Sequence, residues 1–295
     1  MATGITLSST SNLSTGQKIL VANAKMAFEP AAPDPDLVEN ERIPQGHFRW
    51  DVETFARLAQ ATALTEGVDV AETQQLVTAT LSITPSEHGL ISTLSKRLMR
   101  RQGDTPIIST RGKLMAISLR IRMANDIIAL YDTLTKSIVG AGSPLDVTYF
   151  RGAVAYLATD NGAAFGPAPK PYIAALHMEQ ISDIIVDITD PGAVISSRFG
   201  WSADMMQRWW VARDRLYGVE CFHSGNIARD AGDDAKGSLH AKSAYELVIA
   251  NEAETTEEAD KSMRVIEYGL FQEWGEGLRA DPYGVEVFSD AIATV

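Results

Sequence analysis

From residue 77 to residue 83 the chain alternates, with Val77, Ala79, Leu81 and Ile83 on one side and Thr78, Thr80 and Ser82 on the other. Period-two spacing with β-branched side chains predicts a strand. The turn-forming "TPSEHG" follows, and "LISTLS" can run back, so residues 68–98 read as one long hairpin with a mildly apolar face. A hairpin of that kind is marginal in water and needs a surface to lie on. Just upstream, "DVETFARLAQATAL" predicts a short helix from Val52 to about Leu64, stopped by Gly67.

The period changes after Pro106. Leu114, Ile117, Ile121, Ala124, Ile128, Tyr131 and Ile138 recur at steps of three and four, broken at Thr135, which predicts an amphipathic helix. A helix over 106–139 would be ~50 Å long at 1.5 Å per residue, enough to cross a whole domain. "GAGSP" ends it, and Ser143 with Pro144 suits the N-cap and first turn of a second helix carrying Val147, Phe150, Val154 and Leu157, closed by Asn161-Gly162. Beyond the connector "GPAPKP", "YIAALHM" reads as a buried strand. "MEQISDIIVDI" reads as a helix with Ile181, Ile184, Ile185 and Ile188 inward, and Ser202 caps a further short helix, "SADMMQRWWVARD". "YGVECF", "SAYELVIA" and "YGVEVF" alternate as strands. Strands and helices interleaved without a regular βαβ period give an α+β class.

Residues 1–45 are Ser/Thr-rich and then Pro-rich. Pro30, Pro33 and Pro35 exclude a helix there. Leu13, Ile19, Leu20, Val21, Met26 and Phe28 are nonetheless too apolar for a purely solvating tail. The segment reads either as a floppy tail or as an arm that cannot supply its own subunit's core and is ordered only on a neighbouring subunit.

Composition narrows the function classes. Hydrophobic residues make up 45% and charged residues 22% of the 295, so the chain can bury a core. The net charge of −12 gives no global attraction to nucleic acid, leaving at most a local basic patch touching phosphates. One cysteine excludes an intramolecular disulfide framework and a Cys-rich zinc site. The first residues have no basic and apolar leader pattern, and no run of ~18 apolar residues spans a membrane.

The candidate chemistry is thin. No phosphate-loop, dinucleotide, nucleophile-elbow or HExxH motif occurs. Cys221 and His223 share a strand face, the minimum for a nucleophile and its base, but Tyr217, Val219 and Cys221 continue one apolar face, the profile of a packing cysteine. His177 and Glu179 flank a strand–helix junction without a third metal ligand. Asp230, Asp233 and Asp234 lack calcium-loop spacing and read as a solvated turn. Charge distribution is more telling. Lys96, Arg97, Arg100, Arg101, Arg111, Lys113, Arg120 and Arg122 fall in one stretch against only Asp104. Glu246, Glu252, Glu254, Glu257, Glu258 and Asp260 fall in another with no basic residue. Both read either as solvated faces or as complementary faces of neighbouring copies, which would set pairing and register.

The order of parts resembles the tailed-phage major capsid proteins of the Hong Kong 97 fold. "ATALTEGVDV" before "LSITPSEHGLISTLSKRL" is similar to the approach to the family's E-loop, and "LMAISLRIRMANDIIALYDTL" to its spine helix. "FRGAVAYLATDNGAAFGPAPKPYIAALHMEQISDIIVDI" is similar to its A-domain core. "LYGVECFHSGNI", "AKGSLHAKSAYELVI" and "YGLFQEWGEGLRADPYGVEVFSDA" are similar to its closing strands. The resemblance implies a Hong Kong 97-like capsid fold. It would comprise an arm over 1–50, a P-domain over 51–66 and 102–145, an E-loop over 67–101, an A-domain over 146–250, and returning strands over 251–295. It implies a non-enzymatic shell subunit without cofactor, assembling in the host cytoplasm into the pentamers and hexamers of a virion head. Scaffold, cement and portal proteins are further partners of such shells, packaged DNA touches them non-specifically, and no membrane is involved. The residues expected to meet neighbours are Phe28, Leu81, Ile83, Arg97, Arg100, Arg101, Glu254, Glu257 and Glu258. Lys96 is the only lysine near the hairpin and lies at its base, so no lysine crosslink is expected. The rival readings are an encapsulin-like compartment shell and an enzyme using Cys221 and His223, or His177 and Glu179.

Overall fold

The computed structural model describes residues 32–44, 46–58, 63, 66, 78–97, 106–159, 166–189 and 215–292. The strands are β1 (Glu39–Arg42), β2 (Trp50–Phe55), β3 (Thr78–Ile83), β4 (Ser86–Ser95), β5 (Ser137–Val139), β6 (Tyr172–Leu176), β7 (Arg215–Leu216), β8 (Val219–His223), β9 (Asp234–Ala241), β10 (Tyr245–Asp260), β11 (Val265–Leu278) and β12 (Gly284–Asp290). The helices are α1 (Pro106–Tyr131), α2 (Val147–Ala158) and α3 (Met178–Thr189). One sheet has the order β1-β10-β11-β4, a second β5-β12-β9-β6-β8-β7, and β2 and β3 form a separate two-stranded ribbon.

α1 lies across the first sheet. Met115, Leu119, Met123, Ile127 and Tyr131 pack with Leu94, Leu247, Leu270 and Trp274. This buried face shares Ala124 and Tyr131, both fully buried, with the one expected and is otherwise rotated from it: Leu114 is 61% exposed, Ile121 is 36% exposed, and Ile117 and Ile128 are half-buried. α1 carries apolar side chains on more than one face, so periodicity alone could not choose between them. The helix also ends at Tyr131; Ile138 belongs to β5, which pairs in parallel with β12. The second sheet carries α2 and α3. Phe150, Leu157, Ile181 and Ile184 close over Leu176, Leu239 and Val285. β6 is buried along its whole length, which explains its continuous apolar run. The N-cap of α2 is Asp146, whose carboxylate accepts the Tyr149 backbone N–H at 2.7 Å, in place of the expected Ser143. The expected closure at Asn161-Gly162 and the expected helix over 202–214 lie outside the described residues.

The predicted hairpin is two separate pairings. β3 pairs with β2, matching Ile83 to Trp50, while β4 pairs with β11, matching Ser86 to Trp274. The "TP" of "TPSEHG" is the corner at which the chain leaves one sheet for the other, and Val52 to Phe55 form strand instead of helix. The ribbon is fixed at this corner. A Cβ added at Gly275 would meet Ile83 Cγ2 at 2.8 Å and the Pro85 backbone at 3.2 Å; one at Gly277 would meet Ile83 Cδ1 at 3.0 Å and Leu81 Cδ2 at 3.1 Å. The missing β-carbons of β11 are therefore the seat of Ile83, which is 4% exposed and packs with Ile43 and Val248.

The proposed arm is corrected in its second half. Leu37 and Val38 are buried in the main core, and β1 pairs in parallel with β10. Asp34 is fully buried, accepting hydrogen bonds from the Tyr131 hydroxyl at 3.1 Å and the Ser224 hydroxyl at 2.6 Å. Residues 32–42 are thus part of their own subunit: contrary to the expectation, Pro33 and Pro35 start a short 3-10 helix over Asp34–Asp36, where their missing N–H groups cost nothing, and the chain becomes extended at Glu39 to join the sheet edge. Beside this junction His240 is fully buried, its Nδ1 3.0 Å from Ser238 Oγ and its ring edge-on to Tyr245.

Two outcomes follow from this packing. Gly277→Ala should cost about 1–3 kcal/mol, the usual range for overpacking, and Ile83→Val in the same chain, which removes the Cδ1 that the new β-carbon would meet, should recover part of the loss. Thermal unfolding of the two single variants and the double variant checks it, and additive losses would contradict it. The second outcome concerns pH. Burial pushes His240 down to about 4, offset only in part by the Leu37 backbone. Its neutral form stabilises the fold fully above the unfolded value of about 6.5, and that contribution is lost as pH falls from about 6.5 toward 4. Asp34 has the opposite sign, since burial raises its pKa and folding favours its protonated form at low pH. Denaturant unfolding between pH 7 and 4.5 should show a fall in stability that His240→Gln flattens; an equal fall in both proteins would contradict the assignment.

Candidate assembly surfaces

The residues first suspected of chemistry are taken up by packing. Cys221 on β8 is half-buried against the second core, while Tyr217 is 47% exposed and adopts a positive φ of 53° in the turn before it. His223, two residues on, is exposed. His177 Nδ1 accepts the Glu179 backbone N–H at 3.2 Å, so the pair opens helix α3. Burial and nearby Arg229 push the His177 pKa down. Asp230 accepts the backbone N–H groups of Gly232 and Asp234, and Asp234 that of Gly142, so these aspartates hold turns. Among the described residues no group of three or more His, Cys, Asp or Glu is placed to hold a metal. No described helix is long and apolar enough to cross a membrane.

The acidic stretch lies along β10 and divides in two. Glu246, at the buried end, accepts from Trp50 Nε1 at 2.7 Å and lies 3.7 Å from Arg279. Burial raises its pKa. It therefore fixes the root of the β2–β3 ribbon to the sheet. Beyond a pair of bulges between Ile249 and Glu254, β10 continues as a long ribbon with β11. There Glu254, Glu257 and Glu258 are exposed, and Glu252 meets Arg42 at 2.7 Å in an exposed pair of little net energy. Asp260 caps the turn to β11 through the Ser262 and Met263 backbone N–H groups at 2.7 and 3.1 Å. Phe271 lies across Gly89 and Gly269, where a β-carbon would come within 2.2 and 2.5 Å of its ring.

The basic stretch divides likewise. Arg111 is half-buried and donates to the Ser92 hydroxyl, and burial lowers its pKa. Arg120 pairs with Asp36 at 2.5 Å and also donates to the Ala32 carbonyl at 3.3 Å, and Arg122 pairs with Asp126 at 2.8 Å. Arg97 and Lys113 are exposed. Phe28, Arg100 and Arg101 lie outside the described residues. Ile83 is buried inside its own chain, on the seat described above, and Leu81 beside it is half-buried. Sequence reasoning missed that seat and the role of Glu246. The available signal was the spacing of Gly275 and Gly277 around Glu276 within a strand, which marks a close approach on one face.

No family model matches the sequence, and no curated protein matches it. The fold does have solved counterparts. The capsid of cyanophage P-SCSP1u is 12% identical, with a TM-score of 0.65 over 90% of each chain. The head of Helicobacter pylori bacteriophage KHP40 is 13% identical, with a TM-score of 0.66 over 88% of this chain and 91% of that one. The capsid of Ralstonia phage GP4 is 8% identical, with a TM-score of 0.66 over 88% of both. At these coverages the agreement takes in both sheets and the helices packed on them, so the chain has the α+β, Hong Kong 97-like fold of phage capsid subunits.

Proposed function

We propose that the chain is the major capsid subunit of a tailed phage, assembling with copies of itself into the head shell that encloses double-stranded DNA. A fold alone does not determine function. The observation that carries the reading is that the likeness spans nearly the whole of this chain and of the capsid chains. Two further features favour it. Among the described residues the β2–β3 ribbon is held at its root by Ile83 and by Glu246 with Trp50, as suits an E-loop laid over a neighbour. The β10–β11 ribbon offers Glu254, Glu257 and Glu258 to solvent, an acidic surface that suits the basic stretch around Arg97, Arg100 and Arg101 on an adjacent copy. In this reading the A-domain is the body built on the β5-to-β7 sheet, the P-domain is α1 with the β1-to-β4 sheet, and the role is structural. The location is the virion capsid, with assembly in the host cytoplasm. Packaged DNA is touched only non-specifically, and scaffold, cement and portal proteins are the expected further partners.

Sedimentation velocity of the purified chain across concentration tests this. The wild type should shift from subunit to large closed particles or capsomer rings as concentration rises. The triple charge reversal Glu254→Lys, Glu257→Lys and Glu258→Lys should lower the particle fraction most at low ionic strength, where charges act over the longest range. Particle yields that match the wild type at every salt concentration would show that these carboxylates are only solvated, and a wild type that stays monomeric throughout would remove the capsid reading itself.

A further inference from the structure

The first sheet carries opposite charges at two separate places. Cross-strand partners project to one side of a sheet, so the register sets Glu254, Phe271 and Gly89 on a common face, with Glu273 and Glu87 in the next row. Beside the bulges of β10 this face holds a hollow of about 200 Å³, lined by Phe271 and by Glu87, Glu252, Glu254 and Glu273. Glu252 is paired with Arg42, but among the described residues no lysine or arginine pairs with Glu87, Glu254 or Glu273. Ile91, two residues from Gly89 on the same face, is 59% exposed. Carboxylates gathered around an aromatic ring and an exposed isoleucine fit a cationic partner with apolar stems.

The cations lie at the tip of the same sheet. Residues 261–264 join β10 to β11, and the Lys96 backbone N–H donates to the Arg264 carbonyl at 2.8 Å, which brings the end of β4 to this turn. Lys261, Arg264 and Arg97 are exposed, and Met263 is 48% exposed between them. Asp260, the acid beside them, is spent on the Ser262 and Met263 backbone N–H groups. The tip cannot reach the hollow of its own chain. Arg264 and Phe271 are seven residues apart along extended strand, about 23 Å at ~3.3 Å per residue and beyond the reach of any side chain.

We propose that the 261–264 tip of one copy docks in the hollow of a second copy, with Lys261 and Arg264 among Glu87, Glu254 and Glu273, and Met263 against Phe271 and Ile91. The inference rests on the reading of the chain as a self-assembling shell subunit, and it names one contact of that assembly. Tip and hollow are different surfaces present on every copy, so the contact is heterologous, the kind that generates rings when its rotation closes. Lys96 and Arg97, where the basic stretch begins, then lie beside the contact.

Sedimentation velocity at low ionic strength, with circular dichroism to confirm the fold, tests this in three variants. The tip reversal Lys261→Glu with Arg264→Glu, and the hollow reversal Glu87→Lys with Glu254→Lys, should each raise the concentration at which particles form about tenfold or more, because like charges then face each other. All four substitutions in one chain oppose an acidic tip to a basic hollow and should recover most of that loss. Reversals that assemble like the wild type, or losses that the combined variant does not recover, would overturn this contact and leave the shell reading standing. A wild type that assembles at no concentration would instead remove the shell reading, and the contact with it.

Discussion

A single buried carboxylate ties the molecule together. Asp34, near the start of the described chain, accepts hydroxyl hydrogen bonds from Tyr131, the last residue of α1, and from Ser224, in the loop that leaves β8. Three segments far apart in sequence therefore meet at one point with no access to water. An unsatisfied buried polar group costs about 1–3 kcal/mol, so each of the three partners restrains the others. Leu37 and Val38 then follow Asp34 into the main core, and β1 adds to the edge of β10. The relative placement of the two sheets depends on this junction and on His240 and Tyr245 beside it.

With the body fixed in that way, the projecting parts can be rooted firmly and still extend. The β2–β3 ribbon is held where Ile83 meets a strand without β-carbons at Gly275 and Gly277, and where Trp50 donates to Glu246. β10 is buried from Tyr245 to Val248 and exposed beyond the bulges, while its partner β11 keeps Val265, Tyr268 and Leu270 buried along that same stretch. A rigid centre with long rooted extensions is what a shell subunit needs, since every contact is repeated by symmetry and a small angular error would recur at each copy.

Different parts of this design were visible in the sequence to different degrees. β6 was legible because a strand buried on both faces leaves an unbroken apolar run. α3 was legible because Ile181 and Ile184 are buried at helical spacing. The existence of α1 was legible, but its inward face only in part: Ala124 and Tyr131 are buried as expected, while Leu114 and Ile121 are as apolar as Leu119 and Ile127, and only the tertiary fold decides which are covered. The pairing of β3 was hidden because "TPSEHG" has the composition of a hairpin turn, and composition does not say whether a chain folds back or changes sheet. The inclusion of residues 32–42 in the body was hidden because prolines rule out a long helix without naming the short 3-10 helix they start or the strand that follows it. For the assembly surfaces, the acidic stretch was visible as charge, while the separation of Glu246 from Glu254, Glu257 and Glu258 needed the burial that only the fold supplies.

The central claim is that this body exists to be repeated. Cryo-electron microscopy of concentrated, purified full-length protein is its most direct test. The account predicts closed shells or five- and six-fold rings, with the β2–β3 and β10–β11 ribbons at the contacts between copies. A population of isolated subunits with no ring or shell, or rings whose contacts leave both ribbons in solvent, would contradict it.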